Sequence, residues 1–383
     1  MTPSAAAVEP LPRIAVPPQA DEADDSVAAP AGSADWRAEA RAMVGDLMQR
    51  SPALYWIDLV LSAGVAWALT AVYFLAAPWS ALQILAFVGA GILFFRAGTF
   101  IHEIVHMPAR QMLGFKRAWN LLVGVPFLTP WVLYRNHIEH HAHGTFGTPA
   151  DGEYLPLASS PPLETLKYLA QAPLLPLFML ARFGIIGPLS WLHAGFREWT
   201  LTRVSAAVSN PYYKKRFPAK DQGHLVIVEA LCFAWLVALG VGLWQGVIQP
   251  KHVFMAYLLL AFTLGLNWVR NLSAHRYGNA GGNMTAAEQV EDSVNIVGQG
   301  WLTVLMFPVG LRYHALHHLF PAMPYHNMGA AHRRLMERLP PDAPYRSTNR
   351  TSFFSAVNEL WTSARKTPRQ ASSMRAWSSF GRS

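Results

Sequence analysis

The residues best suited to chemistry in this chain are histidines at helical spacing. His102-Glu-Ile-Val-His106 sets two imidazoles at i and i+4. His137-Ile-Glu-His140-His141 and His314-Ala-Leu-His317-His318 each set three at i, i+3 and i+4. Positions three and four apart share a helix face, so in each box the first histidine is expected to pair with the later ones. Neutral imidazole ligates iron, zinc or copper. Histidines also gather at membrane interfaces, but a repeated three-histidine pattern beside an i,i+4 pair points to metal. The chain has one cysteine, Cys232, in an apolar stretch. That excludes a disulfide framework, a Cys-x-x-Cys site and a rubredoxin-like iron site. Any metal must be held by His, Asp or Glu.

The elements that must position these boxes are read as membrane helices. Of 383 residues, 52% are hydrophobic and 14% charged, well below the charged quarter of a soluble domain. The formal charge of +8 suits an anionic membrane face, and no basic run is long enough to favour nucleic acid. Residues 55–76 and 82–101 are apolar runs long enough to span a bilayer, joined by a short uncharged loop. Residues 225–248 and 253–269 form a second such pair. Arg37, Arg41, Arg50, Arg110, Lys116 and Arg117 flank the first pair, and Lys214, Lys215, Arg216, Lys220, Arg270 and Arg276 the second. Both hairpins are therefore expected to enter and leave on the cytoplasmic side.

That topology puts box one just past the second run and His275 just past the last, at one level, with Asn271 four residues before His275. Boxes two and three join them only if even numbers of spans intervene. Residues 169–192 are long enough to cross, but hold Pro173, Pro176, Pro188 and Arg182. Three prolines and a central charge argue against a simple span, so this stretch is expected in the interface. Residues 119–134 and 298–311 are too short to cross and are expected to be interfacial or buried. The fold class is thus expected to be all-α integral membrane: two transmembrane hairpins with a cytoplasmic helical cap carrying the boxes, and with them the di-metal site that a family resemblance implies. The expected divisions are a disordered acidic tail (1–35), a membrane domain (36–345) and a C-terminal segment (346–383) ending in a basic tail from about Lys366.

These motifs resemble the membrane fatty acid desaturase and hydroxylase superfamily over about residues 55–335. That family shows an H-x(3,4)-H box and two H-x-x-H-H boxes between paired helices, and Asn271 and His275 match the N-x-x-x-H element of acyl-CoA desaturases. The resemblance implies two Fe2+ ions on His102, His106, His137, His140, His141, His275, His314, His317 and His318. It also implies O2 as co-substrate and no further catalytic or cofactor-binding residues. Asn271, His143 and Asp151 are candidates for supporting roles beside the ligands. Asp151 and Glu153 read by default as loop polarity, with orienting a ligand imidazole as the other reading of both. His193, His224, His252, His326 and His332 are left out of the site.

The activity the resemblance favours is O2-dependent fatty acyl desaturation, from the likeness of residues 312–326 to the third-box region of bacterial desaturases. Hydroxylation and oxidative decarboxylation to terminal alkenes stay open, as do the lipid's linkage and chain length. A buried acyl tunnel would draw on each methylene for roughly 0.8 kcal/mol; Phe100, Trp119, Phe127 and Trp131 are lining candidates. Electrons must come from outside, from a ferredoxin-like or other redox partner, which Lys214, Lys215 and Arg216 would help to dock. The expected location is the bacterial inner membrane. A competing possibility from another class is an intramembrane zinc metallopeptidase, since His102-Glu103-x-x-His106 also spells H-E-x-x-H.

Overall fold

The computed structural model describes residues 36–215, 219–298 and 300–380. The segment 1–35, Arg216 and the last three residues lie outside them. The described chain is mostly helical. After a short amphipathic helix, α1 (Trp36–Val44), the first hairpin is α2 (Pro52–Leu75) and α3 (Ala81–Val105). Pro52 sits at the first turn of α2, where its missing N–H costs nothing. Ser80 caps α3 by accepting from the Gln83 N–H at 3.2 Å. Helix α2 buries Tyr55, Leu59, Ala63, Ala66, Thr70 and Tyr73, spaced three and four apart. Its opposite face leaves Ile57, Val60 and Leu61 more than half exposed, as a helix facing lipid should. Ala86, Ala90 and Ala97 of α3 are buried; such small residues let spans pack closely. Gly91 is the tightest case, because an added Cβ would fall 2.3 Å from the Phe262 ring.

Helices α4 (Leu113–Trp119) and α5 (Asn136–His140) lead from the first hairpin through box two. The stretch expected at the interface forms one long broken helix, Pro162–Ser190. It is built from α6 (Pro162–Ala170), α7 (Leu175–Ala181) and α8 (Gly187–Ser190), joined by a 3-10 turn at Ala172–Leu174 and a π turn at Arg182–Ile186. Pro173, Pro176 and Pro188 remove backbone donors where the helix changes form. It is as long and apolar as a membrane span, so five described helices qualify by length and composition, the others being α2, α3 and the second hairpin. A short helix, α9 (Ala194–Arg203), precedes that hairpin, α10 (Ala219–Trp244) and α11 (Pro250–Asn271).

Arg182 is buried. Its guanidinium donates to Glu229 of α10, to Ser205 Oγ at 2.7 Å and to the Val204 carbonyl at 2.8 Å. Arg197 also reaches Glu229, at 2.8 Å. Removing one partner of a buried pair strands the other charge, at a cost of about 3–5 kcal/mol. Glu229→Gln is therefore expected to lower the unfolding temperature of the detergent-solubilised protein. An Arg182→Met/Glu229→Met double variant should regain most of it. An unchanged transition in Glu229→Gln would show that the pair is not a structural clamp.

The next part of the chain is a set of short helices, the cap: α12 (Ala286–Asp292), α13 (Trp301–Met306), α14 (His314–Leu319) and α15 (Tyr325–Arg338). A two-residue parallel pairing, β1 (Asn295–Ile296) with β2 (Asn349–Arg350), ties its ends together. Helix α13 shows Trp301 and Val304 to the outside. Helix α15 packs Met328, Ala331 and Leu335 against Leu316 and Phe320, with Ala40 and Val44 of α1 in the same cluster. The end of the chain differs from the expected tail. After α16 (Phe353–Lys366), residues of α17 (Ser373–Phe380) dock on the cap. Met374 and Trp377 are buried with Phe146, Tyr154 and Tyr277, and Trp377 Nε1 donates to the Ala280 carbonyl at 3.1 Å. Two apolar residues three apart suffice to seat a short helix, which the Ser- and Arg-rich composition conceals.

Candidate metal centre

Each box ends or begins an element that fixes its direction. His102 lies in the last turn of α3 and His106 caps it. His137 and His140 sit on the single turn of α5, with His141 as its cap. His314, His317 and His318 lie on α14. His275 is not on a helix: α11 ends at Asn271, and His275 pairs with Ser293 in an antiparallel bridge.

All nine histidines converge, in two groups. In the first, one ring nitrogen from each of His102, His106, His137 and His317 lies within 4.8 Å of the others. His141 joins it, with Nε2 3.1 Å from His137 Nε2 and 3.0 Å from His317 Nε2. The second group is His140, His275, His314 and His318, likewise within 4.8 Å. This corrects the expectation that each first histidine pairs with both later ones. Residues i and i+4 share a group in all three boxes, while the i+3 residues, His140 and His317, cross to the other. The cause is geometric: adjacent positions differ by about 100° around a helix, so i+3 and i+4 diverge.

Carboxylates orient the rings. Asp151, fully buried, lies 2.8 Å from His140 Nδ1, and is itself held by the N–H groups of Gly147 at 3.0 Å and Glu153 at 2.8 Å. Gly147 has φ +68°, a conformation natural to glycine. Glu153 contacts His137 Nδ1 at 3.0 Å and accepts from Tyr134 Oη at 2.7 Å. Asp292 lies 3.5 Å and Ser293 Oγ 3.2 Å from His275 Nδ1. With Nδ1–H given to these acceptors, Nε2 presents its lone pair inward. Yet His140 Nε2 and His275 Nε2 stand 3.2 Å apart, and His275 and His314 Nε2 2.9 Å apart. Lone pairs that close repel, and a cation between them removes the conflict. Both ring nitrogens of buried His102 and Nε2 of His106 have no protein partner among the described residues. Donor type, count and orphaned nitrogens all fit two metal ions with nitrogen ligands.

Electrostatics favours the ligand form. Burial, reinforced by neighbouring imidazoles, holds His137, His141, His314, His317 and His318 well below the ordinary histidine value, and brings His106 down to about 3. For His140 burial is the largest influence and pulls the same way, but Asp151, Glu153 and Asp292 together carry the net shift upward. Burial pushes Glu153 up to about 7.

The supporting candidates fare differently. Asp151 touches a ring as described. Asn271 lines the adjoining cavity with His275, although the end of α11 breaks the helical register between them. His143 is exposed, in neither group, with Gln289 Nε2 3.4 Å from its Nδ1. Glu153, given above as loop polarity, contacts His137. Asp292 and Ser293 went unnoticed, since no spacing links them to His275; only the bridge does. Glu103 accepts from the buried Tyr55 hydroxyl and from the Tyr325 N–H at 3.4 Å. The H-E-x-x-H carboxylate is thus committed to packing. Lys215 is buried, so it is no surface docking residue.

A cavity of about 470 Å³ reaches this centre between α3, α11 and the broken helix. His102, His137, His140, His275 and His314 border it, and Phe94, Phe95, Leu174, Phe178 and Met179 form apolar wall. Of the lining candidates, Trp119 and Phe127 take part. Phe100 packs in the α2–α3 core, and Trp131 lies against His224 at 5.6 Å between centroids.

A sequence model described as fatty acid desaturase matches residues 76–349. The chain is also 38% identical to a ceramide hydroxylase of Caulobacter vibrioides (strain NA1000 / CB15N). That alignment runs over 333 residues, 86% of this chain and 93% of the relative.

Proposed function

Starting from a chain that belongs to the fatty acid desaturase family and is an oxidoreductase, we propose that it is an O2-dependent hydroxylase of a ceramide-like lipid. The observation that carries this is the near full-length likeness to a ceramide hydroxylase. It shifts the balance from desaturation, favoured above on the third-box region, to the hydroxylase alternative. The boxes alone do not separate the two, because both reactions begin by removing hydrogen from an unactivated methylene.

His102, His106, His137, His141 and His317 would hold one iron, and His140, His275, His314 and His318 the other. Iron bound there supplies the O2-activating chemistry that no side chain can. Asp151, Glu153, Asp292 and Ser293 fix the ring orientations. The phenylalanine and leucine walls seat the chain and keep water from the reacting carbon. Hydroxylation consumes O2, two electrons and two protons, giving the alcohol and one water. The electrons come from an external donor. With Lys215 buried, exposed Arg110 and Arg117 near the end of box one are the better docking groups for an acidic, ferredoxin-like protein.

The histidine contacts also bear on topology. His140 and His275 touch, so an even number of crossings separates them. Three long apolar segments lie between. We assign the return without crossing to Pro162–Ser190, because its buried Arg182 is bonded to residues 204–205, two positions before Ala207, whose N–H donates to the Leu133 carbonyl beside box two. The two hairpins then deliver every box to the cytoplasmic face of the inner membrane. Leu192, highly exposed, tests this: a Leu192→Cys variant should react with an impermeant thiol reagent only from the cytoplasm. Reaction from the periplasm alone contradicts it.

The activity test is mass spectrometry of ceramide incubated with the enzyme, O2 and a reducing system. A gain of one oxygen is expected. Loss of two hydrogens returns the enzyme to the desaturase branch, and a terminal alkene to the decarboxylase branch.

A further inference from the structure

One buried cation in the cavity is left over by the metal site. Arg270, in the last turn of α11, is 6% exposed and lines the cavity. Its one hydrogen-bond acceptor among the described residues is Asn267 Oδ1, at 2.7 Å from Nη2. No carboxylate pairs with it there, and its buried Nε has no partner. Beside it, Trp268 lines the same cavity with its Nε1–H also unpartnered. A buried donor without an acceptor is costly, a charged one more so. The helix C-terminus favours a positive charge there, which accounts for the sign. It does not account for a forked donor set facing a chamber whose wall joins Phe94, Phe95 and Leu174 to the histidines and to Glu153, a carboxylate that bonds to His137 and Tyr134, not to Arg270.

We infer that Arg270, with Asn267 and the Trp268 N–H, binds the polar head of the substrate through its acyl carbonyl oxygen, and that this is what fixes which carbon reaches the metals. This rests on the proposed function for the substrate class. A carbonyl oxygen accepts two hydrogen bonds, matching a guanidinium N–H and an indole N–H. An amide-linked acyl group adds an N–H that Asn267 Oδ1 can accept. His275 follows Arg270 by five residues and borders the same chamber, so a head held here lies at the histidine end. The apolar tail then runs between α3 and the broken helix. The carbon presented to the metals is one close to the carbonyl, not one in mid-chain. Arg270 is a positioning residue: it contacts the lipid, not the reacting bond.

The test is binding to the full-length, iron-loaded enzyme in detergent, under nitrogen and without reductant, so that nothing turns over. The probes are a short-chain ceramide, an ether of matched length with no carbonyl, and a free fatty acid. Wild type should bind the ceramide at least about tenfold tighter than the ether, since hydrogen bonds to charged groups have that weight. Arg270→Met should erase the difference while leaving ether affinity and iron content unchanged. Arg270→Lys keeps the charge but not the fork and should restore only part. If Arg270→Met does not accumulate, Asn267→Leu, which removes the amide that holds the guanidinium, should still cut the ceramide preference at least about threefold. Equal weakening of ceramide and ether in these variants, or no change in either, overturns the inference. Arg270-dependent binding of the fatty acid in preference to ceramide overturns the amide assignment. A wild type that binds ceramide through Arg270 yet never hydroxylates it sinks the proposed activity and leaves the head site standing.

Discussion

His140→Ala and His317→Ala are each expected to abolish turnover and to lower bound iron from the proposed two per chain towards one. The two variants strike different groups: His140 contacts His275 across 3.2 Å, and His317 contacts His141 across 3.0 Å. Both imidazoles are buried, so alanine leaves a void in a ring of nitrogen donors that no nearby side chain can refill. O2 activation by a metal pair needs both members, so loss of either should reduce product to background, not merely raise KM. Metal analysis and product yield on the same preparation check this. His143→Ala is the matched control: its ring lies outside both groups, and iron content and activity should be unchanged. Full activity in His140→Ala or His317→Ala contradicts the ligand assignment.

The second large effect is expected from Asp151→Asn. The carboxylate is buried and accepts from His140 Nδ1, which would leave the Nε2 lone pair turned to the proposed metal position. Asparagine has nearly the same shape, but can turn its NH2 towards Nδ1. The ring then carries its proton on Nε2, pointing at the metal position. Loss of such an orienting partner typically costs 10–100-fold in metal affinity or activity, and a loss of about that size is expected here. The check is an iron titration of the apo-protein beside a turnover assay, with Glu153→Gln as the counterpart on the His137 side. Wild-type affinity and rate in Asp151→Asn would show that His140 is oriented by other contacts.

Much of this centre is written locally. Box one continues the helix of an apolar span, and boxes two and three are single turns. The i, i+4 rule therefore brings each pair to one face. The division into two groups was harder to read, since the difference between i+3 and i+4 matters only once two poles exist for the rings to face. Asp292 and Ser293 are reached through a backbone bridge after α11 has ended, a contact that no spacing encodes. Glu153 differs from a loop acid only in being folded under Tyr134 and Asn136, within hydrogen-bond reach of both. Lys215 and α17 show the opposite limit: composition marked them as solvent-facing, while neighbouring packing buries Lys215 and seats Trp377. The preference for hydroxylation over desaturation rests on a relative, because the boxes serve both reactions.

Everything functional depends on nine imidazoles from four separate stretches enclosing two iron ions. Metal analysis of the purified, membrane-extracted protein, paired with Mössbauer spectroscopy of 57Fe-grown material, addresses this most directly. Two irons per chain in a coupled, nitrogen-rich environment are predicted. One zinc per chain, or protein that holds no metal, contradicts it.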